Sequence, residues 1–306
     1  MTHRTILALL LAVFNLATCA AEMNNTAFEA RLTARAAEKQ LDWQIAIAAY
    51  SFRQFTFFEA VDKVAELGVD LIEGFNFQKI SNEIAGPLNP LNMPEEDLQK
   101  VRDKLRKSGV TLIALYYGSF PADQAACRRI FANSKKLGVK YFVGEPHPDR
   151  FPMLDKLAQE YGMIVGLHGH DKRSSPNTWH PALVVKHCQP FSPAIGAFSD
   201  TGHWIRSGLD PAEGVEVLKA RIVGFELHDL HAFDASGHDV PLGFGVGKLQ
   251  NMLETVARIK KGPVLLSVEY VSHPDNPSPD IKKCIEFMDR QAIRLAPPPA
   301  TRPARR

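Results

Sequence analysis

Ile195-Gly196-Ala197-Phe198-Ser199, then Pro211–Ala220, then Ile222-Val223-Gly224-Phe225-Glu226-Leu227: the reading of this passage decides the fold. Two apolar runs of strand length flank an amphipathic stretch that opens on proline, a residue suited to the first helical position. A strand, a helix and a second strand in succession imply parallel pairing, because only a crossover returns the chain to pair that way. The unit repeats in both directions. Strand-like runs at Ile45–Ser51, Val69–Glu73, Val110–Tyr116, Tyr141–Gly144 and Met163–Leu167 precede it, and Val264–Val268 follows. Helical stretches at Phe57–Leu67, Pro94–Lys107, Ala122–Leu137, Phe151–Tyr161, Pro181–Cys188, Lys248–Ile259 and Ile281–Arg290 complete the alternation. Eight strand–helix units predict a single-domain α/β fold, a (β/α)8 TIM barrel over residues 22–295. A doubly wound open sheet would more often carry a Gly-rich phosphate turn after its first strand, and Tyr50-Ser51-Phe52-Arg53 is not one.

The ends of the chain read differently. His3 and Arg4 precede an uncharged apolar run, Thr5–Ala17, and then small residues up to Ala21, the pattern of an export signal over residues 1–21. The run is too short to span a bilayer, and no later segment is apolar enough. The expected location is therefore periplasmic or secreted, with no stable membrane span. Leu16-Ala17-Thr18-Cys19 approaches a lipoprotein cleavage site, but Thr18 before the cysteine disfavours lipid anchoring at Cys19. Residues 296–306 are Pro/Ala/Arg-rich and read as a disordered tail. Removing Arg4, Arg302, Arg305 and Arg306 takes the formal charge from +2 to −2, so nothing drives the chain toward nucleic acid. Cys127, Cys188 and Cys284 are odd in number, widely spaced and on predicted helices, which suits packing rather than a disulfide framework.

In a barrel of this kind the chemistry sits where strands end at the C-terminal face. Five consecutive strands end in a carboxylate or imidazole: Glu145, then His168 with His170, then Asp200, His228 and Glu269. Taken singly, an aspartate after a strand is more often a helix cap or turn former, and a strand-end histidine more often structural. Taken together, such groups at one mouth are costly to desolvate unless a cation or substrate organises them. Two or three carboxylates with imidazole suit a divalent metal: Mn²⁺ first, with Co²⁺, Mg²⁺ or Zn²⁺ as alternatives.

These residues resemble a family. Asp200-Thr201-Gly202-His203, His228-Asp229, Val268-Glu269-Tyr270 and the turn Pro241-Leu242-Gly243-Phe244-Gly245 are similar to motifs of the xylose isomerase-like TIM barrels. That superfamily includes sugar phosphate isomerases/epimerases, ketose 3-epimerases, inosose dehydratase and the apurinic endonuclease four group. The resemblance spans roughly Trp43 to Arg290. It implies a metal held by Asp200, His228 and Glu269. Ketose epimerases add a glutamate from strand five, where this chain has His168 and His170. The chain offers Glu145 on strand four instead, closer to the inosose dehydratase pattern, and the fourth ligand stays open between Glu145 and His168. The family's strand-seven His-x-Lys-Asp lysine is absent from His228-Asp229-Leu230-His231, which weakens the case for a phosphorylated substrate.

A metal at such a site suits enolisation, removal of a proton next to the carbonyl of a keto-sugar, with His168 or His170 as base, or Glu145 or Glu269 where not committed to the metal, and His203 holding a substrate hydroxyl. Reprotonation gives isomerisation or epimerisation of a non-phosphorylated keto-sugar. Expulsion of a β-substituent, or its reverse, would make the protein a lyase or hydratase acting on 3-keto-glycosides or their unsaturated products. Two further alternatives are an apurinic endonuclease-like nuclease, opposed by the export pattern and the charge, and a non-catalytic sugar-binding protein. The expected partner is a small-molecule sugar.

Overall fold

Thr56 and Glu59 illustrate how local chemistry places the helices. The Thr56 hydroxyl accepts the Glu59 N–H at 3.3 Å, and the Glu59 carboxylate accepts the Thr56 N–H at 2.8 Å. This reciprocal capping box starts α2 (Phe57–Glu66). Helix α3 (Glu95–Ser108) begins after Pro94 with Glu95, Glu96 and Asp97 in its first turn. It ends with Arg106 and Lys107 before Gly109, whose φ of 66° suits glycine. In the computed structural model, which describes residues 29–298, these elements surround a closed parallel barrel.

A helix over residues 29–40, α1, precedes the barrel. The strands are β1 (Trp43–Ala48), β2 (Leu71–Phe75), β3 (Thr111–Tyr116), β4 (Tyr141–Gly144), β5 (Ile164–Leu167), β6 (Ile195–Asp200), β7 (Ile222–Leu227) and β10 (Val264–Val268). Between the last two, a short antiparallel ribbon pairs β8 (Asp229–Leu230) with β9 (Asp239–Val240). The first strand pairs with the last, Trp43 opposite Val264 through Ile47 opposite Val268, which closes the sheet. The alternating helices are α2, α3, α4 (Gln124–Lys136), α5 (Phe151–Tyr161), α6 (Pro181–Cys188), α7 (Thr201–Arg206) with α8 (Pro211–Leu218), α9 (Leu249–Ile259) and α10 (Ser278–Leu295). The expected (β/α)8 barrel is therefore the fold.

The differences from the sequence reading are local. The first strand stops at Ala48, and residues 49–52 turn into a 3-10 helix. The second strand runs two residues further, through Gly74 and Phe75. Helices α1 and α7 and the β8–β9 ribbon escaped the reading. Each is short or follows the leader-like segment in the sequence, where hydrophobic period is a weak signal. Cys127, Cys188 and Cys284 are buried, free and helical, as expected. The segment read as an export signal, and residues 299–306 of the tail, lie outside the described residues.

The core has two parts. A large shell packs helices against the outer barrel face. A smaller group, including Ala46, Ala114, Tyr141, Val143, Phe198 and Leu265, fills the barrel interior. Phe198 occupies space that two strands vacate. A Cβ at Gly166 would meet the Phe198 Cβ at 2.5 Å, and one at Gly224 would meet its ring at 2.3 Å. Inward-facing residues recur every second position, so the next inward layer above Phe198 holds Asp200, aligned in register with Glu226, which in turn aligns with Ser267. The floor of the site is thus the ring of Phe198. Phe198→Ala is expected to destabilise the protein by about 3–5 kcal/mol, read as a lower urea midpoint with an unchanged slope.

Candidate active site

Asp200 ends β6 and starts α7, and its two oxygens divide the work. Oδ1 accepts the His203 N–H at 2.8 Å and caps the helix. Oδ2 faces three imidazoles: His228 Nε2 at 3.4 Å, His168 Nε2 at 3.8 Å and His203 Nε2 at 3.9 Å. The bland reading of a strand-end aspartate as a cap and the functional reading both apply to this residue.

His228 follows β7 and is oriented from behind. Its Nδ1 lies 2.8 Å from Asp239 Oδ2, which the β8–β9 ribbon delivers from eleven residues away. Asp239 also accepts the Val271 N–H at 2.8 Å and pairs with Arg206 at 3.1 Å. With Nδ1 engaged, Nε2 turns toward Asp200 and toward Glu269 Oε1 at 3.6 Å, and it finds no hydrogen-bond partner among the described residues. The Thr201 hydroxyl accepts the His228 N–H and donates to its carbonyl, each at 2.8 Å, tying α7 to this strand end.

His168 occupies the end of β5. Its Nε2 lies 2.8 Å from Glu226 Oε2, and its Nδ1 lies 3.3 Å from Glu145 Oε1. Glu226 and Glu73 are buried against one another inside the barrel. Burial first, and the adjacent Glu226 charge next, hold Glu73 well above the usual carboxylate range, so it keeps its proton. Burial and Glu226 likewise raise Glu269.

Of the seven residues singled out from sequence, Asp200, His228, Glu269, His168, His170 and His203 line one cavity of about 390 Å³ at the barrel mouth. Glu145 does not join the Asp200–His228–Glu269 group. Its carboxylate is bonded by His170 Nδ1 and the Ser175 hydroxyl as well as by His168. Burial acts to raise Glu145, but the hydrogen bonds from His168 and His170 outweigh it and keep the carboxylate ionised well below its ordinary range. His170 is partly exposed, stacked edge-on to His203 with ring centres 4.6 Å apart. Burial, opposed by Asp200 but helped by neighbouring imidazoles, lowers His203 to about 4, so it is neutral at ordinary pH.

The sequence reading missed Glu226, Glu73, Asp239, Arg206 and Tyr116. Glu226 carried a usable signal: it precedes His228 by two positions inside an apolar strand, and period two puts both on the same face. Asp239 carried none, because a loop separates it from its partner.

This donor set fits a divalent cation. Glu226 Oε1, Glu269 Oε2 and His228 Nε2 are buried without hydrogen-bond partners among the described residues. His168, Asp200 and Glu226 each offer an atom within 4.8 Å of the others. Burial opposes charge on His228, yet Asp200 and Asp239 raise its pKa well above the ordinary value. The protein thus places strong demand for positive charge at that spot, which a proton satisfies alone and a cation would satisfy in its stead.

Comparison with known proteins concerns the fold. The family model for the xylose isomerase-like TIM barrel matches residues 61–291. An uncharacterised protein from Parabacteroides distasonis is 25% identical with a TM-score of 0.65, covering 81% of this chain and 99% of its own. The IolI protein with a bound zinc atom is 16% identical with a TM-score of 0.64, covering 82% and 99%. A D-psicose 3-epimerase solved in the presence of D-fructose is 15% identical with a TM-score of 0.60, covering 82% and 96%. The last two are similar in fold. No curated protein matches the sequence.

The role of Asp239 is testable without a substrate. Asp239→Asn should weaken divalent-metal affinity by about 10–100-fold, the usual cost of losing an orienting partner, while circular dichroism stays unchanged. Calorimetric titration with Mn²⁺ and Zn²⁺ measures it, and affinity equal to wild type would remove Asp239 from the site.

Proposed function

The chain belongs to the xylose isomerase-like TIM barrel family, and from that premise we propose that it is a divalent-metal-dependent enzyme that moves a proton next to the carbonyl of a non-phosphorylated keto-sugar. The observation that carries the reading is the convergence of His168, Asp200, Glu226, His228 and Glu269 on one cavity with buried atoms left unpartnered. Asp200, His228 and Glu269 would hold the cation, with His168 rather than Glu145 completing the set. A bound cation would supply Lewis acidity, polarising a sugar carbonyl and the neighbouring hydroxyl.

The proton is handled by the chain itself. His170 faces the cavity with Glu145 fixed behind its Nδ1. A half-buried, ionised carboxylate that holds one ring nitrogen leaves the other free as an acceptor and stabilises the imidazolium once the proton arrives. His170 is therefore the base of this proposal, and Glu145 the residue that positions it. His203 stands 4.6 Å from that ring, neutral and able to donate to or accept from a substrate hydroxyl. Return of the proton to the same carbon on the opposite face is epimerisation, and to the neighbouring carbon isomerisation. Loss of a β-hydroxyl instead is dehydration, the outcome of a lyase.

Absence of the strand-seven lysine supports a neutral sugar over a phosphosugar. So does the Thr5–Ala17 export pattern, which on this proposal sends the enzyme out of the cytoplasm and so away from most phosphosugars.

Metal-loaded protein in D₂O should introduce deuterium next to the carbonyl of a keto-sugar, and a chelator should abolish it, read by proton NMR. His170→Ala should slow exchange by about 10²–10⁴-fold without loss of bound metal, and Glu145→Gln should lower kcat more than it changes KM. Undiminished exchange in His170→Ala would sink the assignment of the base. No exchange with any keto-sugar would sink the proposal.

A further inference from the structure

A second cavity, about 510 Å³, adjoins the first and shares Tyr50, Phe75 and Phe77 with it. Both volumes are in the range of small-molecule sites. The shared wall belongs to a continuous run of aromatic rings that starts at the catalytic imidazoles. Tyr116 stands edge-on to His168 at 5.6 Å, and Phe75 stacks on Tyr116 at 5.2 Å. Tyr50 and Phe77 follow, at 5.4 and 5.7 Å from Phe75. Phe77 is 56% exposed, a large cost for a phenyl ring with nothing to cover it.

Polar groups sit around this apolar wall. Gln78 is 8% exposed and lines the second cavity. Its amide nitrogen donates to the Phe55 carbonyl at 3.2 Å, and its Oε1 is buried without a partner. Arg53 donates through one terminal nitrogen to the Val271 carbonyl at 2.8 Å, while its other terminal nitrogen is buried and unpartnered. Gln54 and Asn82 add exposed amides at the rim.

We infer that the second cavity is a subsite for the second ring of a glycoside, so that the substrate is a keto-disaccharide or comparable keto-glycoside rather than a free keto-sugar. The inference rests on the keto-sugar reading of the adjoining site. Aromatic faces beside amide and guanidinium donors suit a pyranose ring, which offers an apolar C–H face and an equatorial belt of hydroxyls. Glu59 lines the same cavity as Arg53 and Lys79, so a phosphate would meet charge of both signs there, and a phosphosugar is the control ligand in the test.

The test uses two measurements on the metal-loaded protein. In D₂O exchange, 3-ketocellobiose and 3-ketomaltose are compared with 3-ketoglucose. In calorimetry, unoxidised cellobiose and maltose are compared with glucose and with fructose 6-phosphate. At least one disaccharide should exceed its monosaccharide about tenfold in kcat/KM and in affinity. Asn82→Trp, which fills the side cavity from an exposed position, should bring both ratios near one, and Gln54→Ala should lower them in part. If no sugar exchanges but the disaccharide preference in binding persists and is lost in Asn82→Trp, the subsite stands and the chemical reading falls. Equal binding of mono- and disaccharides by wild type, ratios untouched by Asn82→Trp, or tighter binding of fructose 6-phosphate that Asn82→Trp weakens, each overturns the subsite.

Discussion

A closed parallel sheet sends every second residue of each strand into a space of fixed width, and this constraint governs both the core and the chemistry. Closure is made by β1 pairing with β10. Inside, Phe198 fills the volume that Gly166 and Gly224 leave open. Two residues further along β6 the same inward line delivers Asp200, and further along β7 it delivers Glu226 and then His228. The apolar floor and the polar site are successive layers of one period. A shift of one residue in any of these strands would exchange its inward face for its helix-packing face.

The upper layer concentrates acid in a dry interior. Glu73, Asp200, Glu226, Asp239 and Glu269 are all buried. The protein disperses this charge in several ways. Glu73 stays protonated under burial and the charge of Glu226. Asp239 is paired with Arg206. Glu145 is held by imidazole and hydroxyl partners to one side. Buried side-chain atoms without a partner among the described residues are found on Glu73 and Glu226 as well as at His228 Nε2 and Glu269 Oε2. The next residue, Asp229, points away from the cavity. Its carboxylate accepts the N–H groups of Gly243, Gly245 and Gly247 at 2.9 to 3.0 Å, fixing the turn beside the site. Consecutive residues at one strand end thus serve chemistry and loop anchorage.

The fold was legible because its signals are local: apolar runs, capping residues and αL glycines each act within a few positions. The site was legible in part for the same reason, since strand ends can be located from runs such as Ile222–Leu227. What sequence alone could not deliver were relations across the barrel. Glu145 ends a strand as the sequence indicates, but no local pattern announces that its carboxylate also takes hydrogen bonds from His170 and from Ser175, thirty residues away. Asp239 reached His228 only through a ribbon too short to leave a pattern. Glu73 stood in the sequence only as the end of a strand-like run, and its raised pKa follows from burial and from Glu226, which no spacing in the sequence brings near it.

Asp200 joins the start of a helix to the centre of the site, and this has a consequence for descent. Losing the side chain altogether removes a cap worth about 1 kcal/mol together with the charge that faces three imidazoles. Asparagine keeps an oxygen for the His203 N–H and gives up only the charge. A lineage that gives up this charge therefore loses less stability through asparagine than through alanine. Silent descendants of this barrel should carry, at the end of their sixth strand, residues that still cap a helix, a fossil of the site in its scaffold.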